Sequence, residues 1–231
     1  MEQPYQTQPL SPQDLDAAVA QAYLNKVYLW MAACMAITAG VAMYTLQSLE
    51  VMTWVANHFL LLPLGAIGIV VVMSFGARML TRNALAAMLL VFAGAQGLLF
   101  GPICCVYTQQ SLGLTFGVSA GMFGAMSLYG YCTKRDLSVW GRGLMMALIG
   151  LIIAGIANCF WGNGTADLVI SGIGVIVFAA FTAYDTQMIL QQGLCTDEEA
   201  REKGAILGAL NLYLDFINLF LYLLRFLGDR D

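Results

Sequence analysis

An all-α membrane protein of seven spanning helices is the fold class this chain predicts, and three observations predict it. Of its 231 residues 60% are hydrophobic and only 10% charged, against roughly 25% charged in an average soluble domain. The apolar residues fall in long runs, each close to the roughly 20 residues that cross a hydrocarbon core. Eight of the ten basic residues lie in the N-terminal segment or in alternate connectors between those runs, the other two, Arg225 and Arg230, at the C-terminal end. A second soluble domain of ordinary size has no room, and the net charge of −4, spread over several loops, does not suit a nucleic-acid partner.

Residues 1–25 are polar, rich in Gln and Pro, and have no basic stretch ahead of an apolar one, so they read as a cytoplasmic tail rather than a cleaved signal. Ser11-Pro12-Gln13-Asp14 has the pattern of a helix start with proline at the first helical position, which predicts a short amphipathic helix over about 12–24. A transmembrane domain then occupies 26–231, with spans at about 27–47, 57–77, 84–107, 112–132, 143–161, 168–190 and 204–227. Lys26, Arg78, Arg82, Lys134, Arg135, Arg142, Arg201 and Lys203 all lie on one side of this arrangement. Positive charge stays inside, so the N-terminus is expected in the cytoplasm of an inner (plasma) membrane, with the C-terminus outside unless the last span re-enters.

Within the fourth span, Gly113, Gly117, Gly121 and Gly124 form a small-residue stripe that predicts close helix packing. Within the seventh, Gly204, Gly208, Asn211, Asp215, Asn218 and Tyr222 recur at spacings of three and four, on one face of a helix otherwise Leu, Ile and Phe. That face must meet protein or water rather than lipid. The six cysteines lack CxxC spacing and His58 is the lone histidine, so no zinc or haem site is expected; most of the cysteines read as apolar packing residues.

Asp185 and Asp215 lie inside the sixth and seventh spans. A carboxylate near the middle of a span costs about 2.5–3.5 kcal/mol on insertion scales, so two in neighbouring helices point to a site. At about 1.5 Å per residue both fall in the cytoplasmic half, at levels close enough to meet. Two carboxyls in contact cannot both ionise cheaply and should share a proton. Loss of that proton would invite a cation, and Ca²⁺ accepts carboxylate and amide oxygens flexibly. Asn211, Asn218 and Gln187 offer such amides, and Arg78 is a candidate latch that would neutralise one aspartate.

Ala183-Tyr184-Asp185-Thr186-Gln187, the run Gly208–Phe220 containing Asn211-Leu212-Tyr213-Leu214-Asp215, the segment Gly121–Tyr131 and Thr133-Lys134-Arg135-Asp136-Leu137-Ser138 together resemble the signature of the Bax inhibitor family (transmembrane Bax inhibitor motif proteins), in particular its bacterial inner-membrane members. The resemblance covers about residues 20–231. It implies seven helices with the last one central and surrounded by the other six. It also implies a pH-sensitive calcium leak gated by an aspartate pair, here Asp185 and Asp215, with Arg78 as the arginine that latches the first of them. The connector Gln191–Lys203, with Asp197, Glu198 and Glu199, is long enough to alter gating in detail.

The expected activity is therefore a pH-sensitive calcium leak channel, with no enzyme activity and no cofactor beyond Ca²⁺ as the permeant or transiently bound ion. The expected partners are the lipid bilayer, the calcium ion and a membrane protein. Other readings are a regulatory protein acting through a membrane protease or death-signalling partner, and a proton-coupled cation antiporter. An intramembrane aspartyl protease is disfavoured, because Leu212-Tyr213-Leu214 puts bulk before Asp215 where such enzymes need glycines.

Overall fold

The computed structural model describes residues 12–162 and 164–229, and the regular elements among them are helices. They are α1 (Pro12–Gln47), α2 (Leu49–Asn57), α3 (Leu61–Gly76), α4 (Arg82–Val106), α5 (Gln109–Cys132), α6 (Gly141–Trp161), α7 (Gly164–Gln192) and α8 (Glu198–Leu227), with a 3₁₀ turn at Ser138–Trp140 leading into α6. α1 is continuous over 36 residues, so the short N-terminal helix expected from sequence is simply the start of the first span. Ser11 lies outside the described residues.

Six helices are long and apolar enough to cross a membrane, and the bent pair α2–α3 makes a seventh crossing if counted as one span. α3 falls within the second span expected at 57–77, and α2 precedes it as a further short helix. α2 opens on Ser48, whose hydroxyl accepts the Val51 N–H at 3.3 Å. It closes at His58, whose backbone N–H reaches Trp54 O at 3.1 Å and whose ring stacks on the Trp54 indole. The lone histidine thus closes a helix. The chain turns by 76° and resumes as α3. Pro63 falls in the first turn of α3, where its missing N–H is not required.

α8 is the core of the bundle. The most apolar stretch of α8 is 67% buried, against 11% for the stretch around α6. α8 packs against α1, α4, α5 and α7, while α3 leans on α4 and α6 on α7. The centre is flanked most closely by four helices, with α3 and α6 packed outside them on α4 and α7. Aromatic rings line the contacts: Phe216 of α8 meets Phe116 and Phe123 of α5 edge-on, both at 5.6 Å between centroids, and Phe220 stacks on Phe100 of α4 at 5.8 Å.

Close approach is achieved at a few glycines. A Cβ at Gly97 of α4 would lie 2.6 Å from Cβ of Val41 on α1, and one at Gly130 of α5 would overlap the Ala183 carbonyl of α7. The stripe expected to do this in α5 does not: Gly113, Gly117, Gly121 and Gly124 face outward with open space around them. The buried face of α5 is instead Ser111, Thr115, Ser119, Phe123, Ser127 and Gly130. Hydroxyl side chains are nearly as small as glycine and can return a hydrogen bond to their own helix, as Ser119 does to Thr115 O at 2.7 Å. Among the cysteines only Cys34 is buried in the bundle. Cys105, Cys132, Cys159 and Cys195 are exposed, contrary to the packing role expected of most of them.

Lys26 of α1 and Arg82 of α4 both pair with Glu202 of α8. Arg78, Arg201 and Lys203 line a cavity beside them. The other end of α8 meets the α4–α5 turn, where the Asp229 carbonyl accepts from Thr108 N at 3.3 Å. α8 therefore runs the full height of the bundle, about 45 Å for its 30 residues, and does not re-enter. It also begins at Glu198 rather than 204, because Asp197 caps it by accepting from Glu199 N at 3.0 Å and Ala200 N at 3.4 Å. The long connector expected there shrinks accordingly.

Candidate functional site

Asp185 and Asp215 are turned toward each other by what packs two residues before them. On α7, Ala183 is pressed against Gly130 of α5. Thr186 lies against the same helix, its Oγ1 3.3 Å from Ser127 Oγ, and donates to Thr182 O at 2.7 Å. Two residues along a helix is about 200° of rotation, so burying Ala183 on α5 sends Asp185 to the opposite side. On α8, the Tyr213 hydroxyl lies 2.7 Å from Thr38 Oγ1 of α1, and the same rotation sends Asp215 away from α1 toward α7. The two carboxyl groups become near neighbours on the wall of one cleft.

Asp215 is 4% exposed, and its Oδ2 has no hydrogen-bond partner among the described residues. Both aspartates line a cleft of about 800 Å³ between α6 and α8, floored by α7. Asn211, Asn218, Tyr184 and Tyr222 share that lining. Asn218 donates Nδ2 to Leu214 O at 2.8 Å, which leaves its side-chain oxygen as the acceptor it can offer. No lysine or arginine lines the cleft among the described residues.

The remaining sequence-derived candidates lie elsewhere. Gln187 is buried on another face of α7, where its Oε1 accepts from Leu137 N at 2.7 Å and its Nε2 donates to Arg135 O at 2.9 Å. It anchors the α5–α6 connector and does not serve the aspartates, because the rotation of about 200° that separates it from Asp185 puts it on the opposite side. Arg78 is exposed in the turn after α3 and lines the separate cavity with Tyr23, Cys195 and Arg201. α3 packs on α4 and is remote from the α6–α8 cleft, so the latch is not made in this structure. Gly204 and Gly208 leave the polar stripe as well: they receive Tyr23 of α1 and Ile189 of α7.

Three features escaped the sequence. The Thr38–Tyr213 bond joins residues 175 apart, and the Lys26–Glu202–Arg82 network joins three helices. Nothing local marks either. The third is the hydroxyl face of α5, which was legible as Ser and Thr at steps of four. In the connector after α5, the Ser138 hydroxyl and then its backbone N–H (2.9 Å) bond to Asp136 and hold that carboxyl below the usual carboxylate range.

A bundle of apolar helices with two carboxyl groups in one cleft beside its central helix is a polytopic membrane protein with acidic side chains within its spans. The chain belongs to the Bax inhibitor family: the family model described as inhibitor of apoptosis-promoting Bax1 matches residues 20–231. It is 44% identical over 217 residues to the inner membrane protein YbhL of Escherichia coli (strain K12), covering 91% of this chain and 92% of that one. It is 41% identical over 210 residues to an uncharacterized protein of Deinococcus radiodurans, covering 90% and 91%. It is also 41% identical over 215 residues to the uncharacterized protein RP147 of Rickettsia prowazekii, covering 90% and 89%.

Proposed function

We propose that this protein is a pH-sensitive calcium leak channel of the inner membrane, gated by Asp185 and Asp215. The observation that carries the reading is that both carboxyl groups, as near neighbours, line one cleft with no lysine or arginine among the described residues on its walls. One proton shared by the pair holds α7 and α8 together. Removing it places two like charges side by side, which repel and attract a divalent cation. Tyr184 and Tyr222 are the other titratable groups on the cleft, and neither can neutralise the pair. Two carboxylates with the amide oxygens of Asn211 and Asn218 fall short of the six to eight oxygens, roughly, that a resident Ca²⁺ takes. That suits passage better than storage.

The N-terminus is assigned to the cytoplasm, because Lys26, Arg82, Glu202 and the basic connectors share one end of the bundle. No catalytic role is assigned to the pair: Leu214 shares the cleft wall with Asp215, where a protease would need room for a substrate strand. Calcium flux into vesicles holding the purified protein tests the reading. Flux is expected to rise from acid to neutral pH in the wild type and to lose that profile in Asp185→Asn and Asp215→Asn. A wild-type profile in both variants would sink the proposal. Flux that follows an imposed proton gradient rather than pH itself would mark an antiporter.

A further inference from the structure

The α6–α8 cleft is far larger than an ion needs. Its volume is about 800 Å³, whereas a water occupies about 30 Å³. It runs from Gly141 to Ile152 along α6, roughly 16 Å at about 1.5 Å per residue. The walls toward Ile152 are mostly apolar, with Met145, Leu148 and Ile152 on α6 and Phe178 and Phe181 on α7, and Asn218 and Tyr222 on the α8 side. α6 packs on α7 and makes no comparable contact with α8. The cleft is thus open between those two helices, and Met145 and Ile152 on its rim are each 53% exposed. Partway along the cleft sits Asp215 Oδ2, buried and without a hydrogen-bond partner among the described residues.

We propose that this cleft binds a single-chain amphiphile bearing a protonated amine, with the ammonium group on the Asp185–Asp215 pair and the alkyl chain along the apolar wall toward Ile152. The inference deepens the reading of the same site and rests on its claim that the pair carries negative charge. A pair sharing one proton has a charge of −1, which one ammonium matches, and an ammonium supplies three donors for the carboxyl oxygens. From Asp185 to Phe178 the groove runs roughly 10 Å at about 1.5 Å per residue, so a chain of about twelve carbons fills it and continues past the open rim into lipid. Lipid tails are as apolar as the groove walls, so the chain gains little by moving from bilayer to groove. Selection therefore falls on the head group. A neutral or anionic amphiphile of equal length has no reason to stay. Such an amine would occupy the calcium path from the membrane side.

The test uses the full-length protein in a nonionic detergent, with dodecylamine, dodecanol and dodecanoate as probes and native mass spectrometry as the readout. One equivalent of dodecylamine is expected to be retained, and neither of the other two. Affinity is expected to fall about tenfold or more in Asp185→Asn and in Asp215→Asn, the size of one charge-assisted hydrogen bond. Ile152→Trp lies on the lipid-exposed rim, where it leaves the bundle intact, and is expected to weaken retention by filling the groove. Equal retention of amine and alcohol, unchanged affinity in the aspartate variants, or unchanged retention in Ile152→Trp would overturn the inference. The two readings fail separately. If the amine does not bind while the flux profile collapses in the aspartate variants, the amine site is wrong and the leak stands. If the amine binds as described while the flux profile survives both substitutions, the leak is wrong and the amine site stands.

Discussion

The hydroxyl of Tyr213 lies 2.7 Å from Thr38 Oγ1, and this bond between α8 and α1 sets the rotation that aims Asp215 at α7. Thr38 Oγ1 also lies 2.9 Å from Cys34 O and 3.0 Å from Ala93 O, to which it donates, so Tyr213 is the donor to Thr38. The two partners are therefore unequal. Tyr213→Phe leaves Thr38 bonded to a carbonyl and should cost about 1 kcal/mol, whereas Thr38→Val strands a buried phenol and should cost about 1–3 kcal/mol. Thermal unfolding in detergent measures both. Equal losses would mean that the donor assignment is wrong.

Gly130 and Gly121 make a matched pair on α5. A side chain at Gly130 meets the Ala183 backbone, which cannot step aside, while Gly121 has nothing within 4 Å. Gly130→Ala should destabilise by about 1–3 kcal/mol and disturb the height of Asp185. Gly121→Ala should be neutral or stabilising by up to about 1 kcal/mol through helix propensity. The comparison of the two unfolding midpoints decides whether the outward glycine stripe is idle in the monomer.

Glu202 holds Lys26 and Arg82 together, with its own side chain 21% exposed and those of Lys26 and Arg82 35% and 51%. Half-exposed ion pairs contribute about 0–1 kcal/mol each and are screened by salt. Glu202→Gln should therefore lower the unfolding midpoint at low salt and converge with the wild type at high salt. A deficit that persists at high salt would assign Glu202 a packing role instead.

Asp136 is fully exposed, and Ser138 holds its carboxyl below the usual range. A carboxyl with a lowered value in the folded state contributes stability above its unfolded value of about 3.9, and that contribution is lost as pH falls through the folded value. Ser138→Ala removes the hydroxyl bond and should move the Asp136 titration back up toward the ordinary value. Carbon-detected NMR of the labelled carboxyl would follow it. An unmoved titration would leave the backbone N–H of residue 138 as the whole cause.

Much of this architecture was readable in one dimension. The spans at 84–107, 112–132, 143–161 and 168–190 match α4 to α7 within a few residues, because runs of apolar side chains of bilayer length have few alternatives. Around the second span the sequence was less legible, because α2 and α3 are both apolar and only the turn at His58 separates them. The glycine stripe misled for a related reason. Small residues permit contact but do not say with what, and lipid tolerates them on the outside of α5.

The chain alone determined that Asp185 and Asp215 sit inside spans at similar depth, since insertion cost makes a carboxylate there conspicuous whatever surrounds it. It also determined that Asn211, Asp215 and Asn218 share a face, which follows from helical geometry. Only the tertiary structure decided that the two carboxyls share one cleft, that Gln187 and Arg78 stand apart from them, and that α6 leaves the cleft open beside α8. Those outcomes depend on rotation and contact between helices. Rotation is set by partners distant in sequence, Tyr213 on Thr38 and Ala183 on Gly130, and no periodicity within a single helix encodes them.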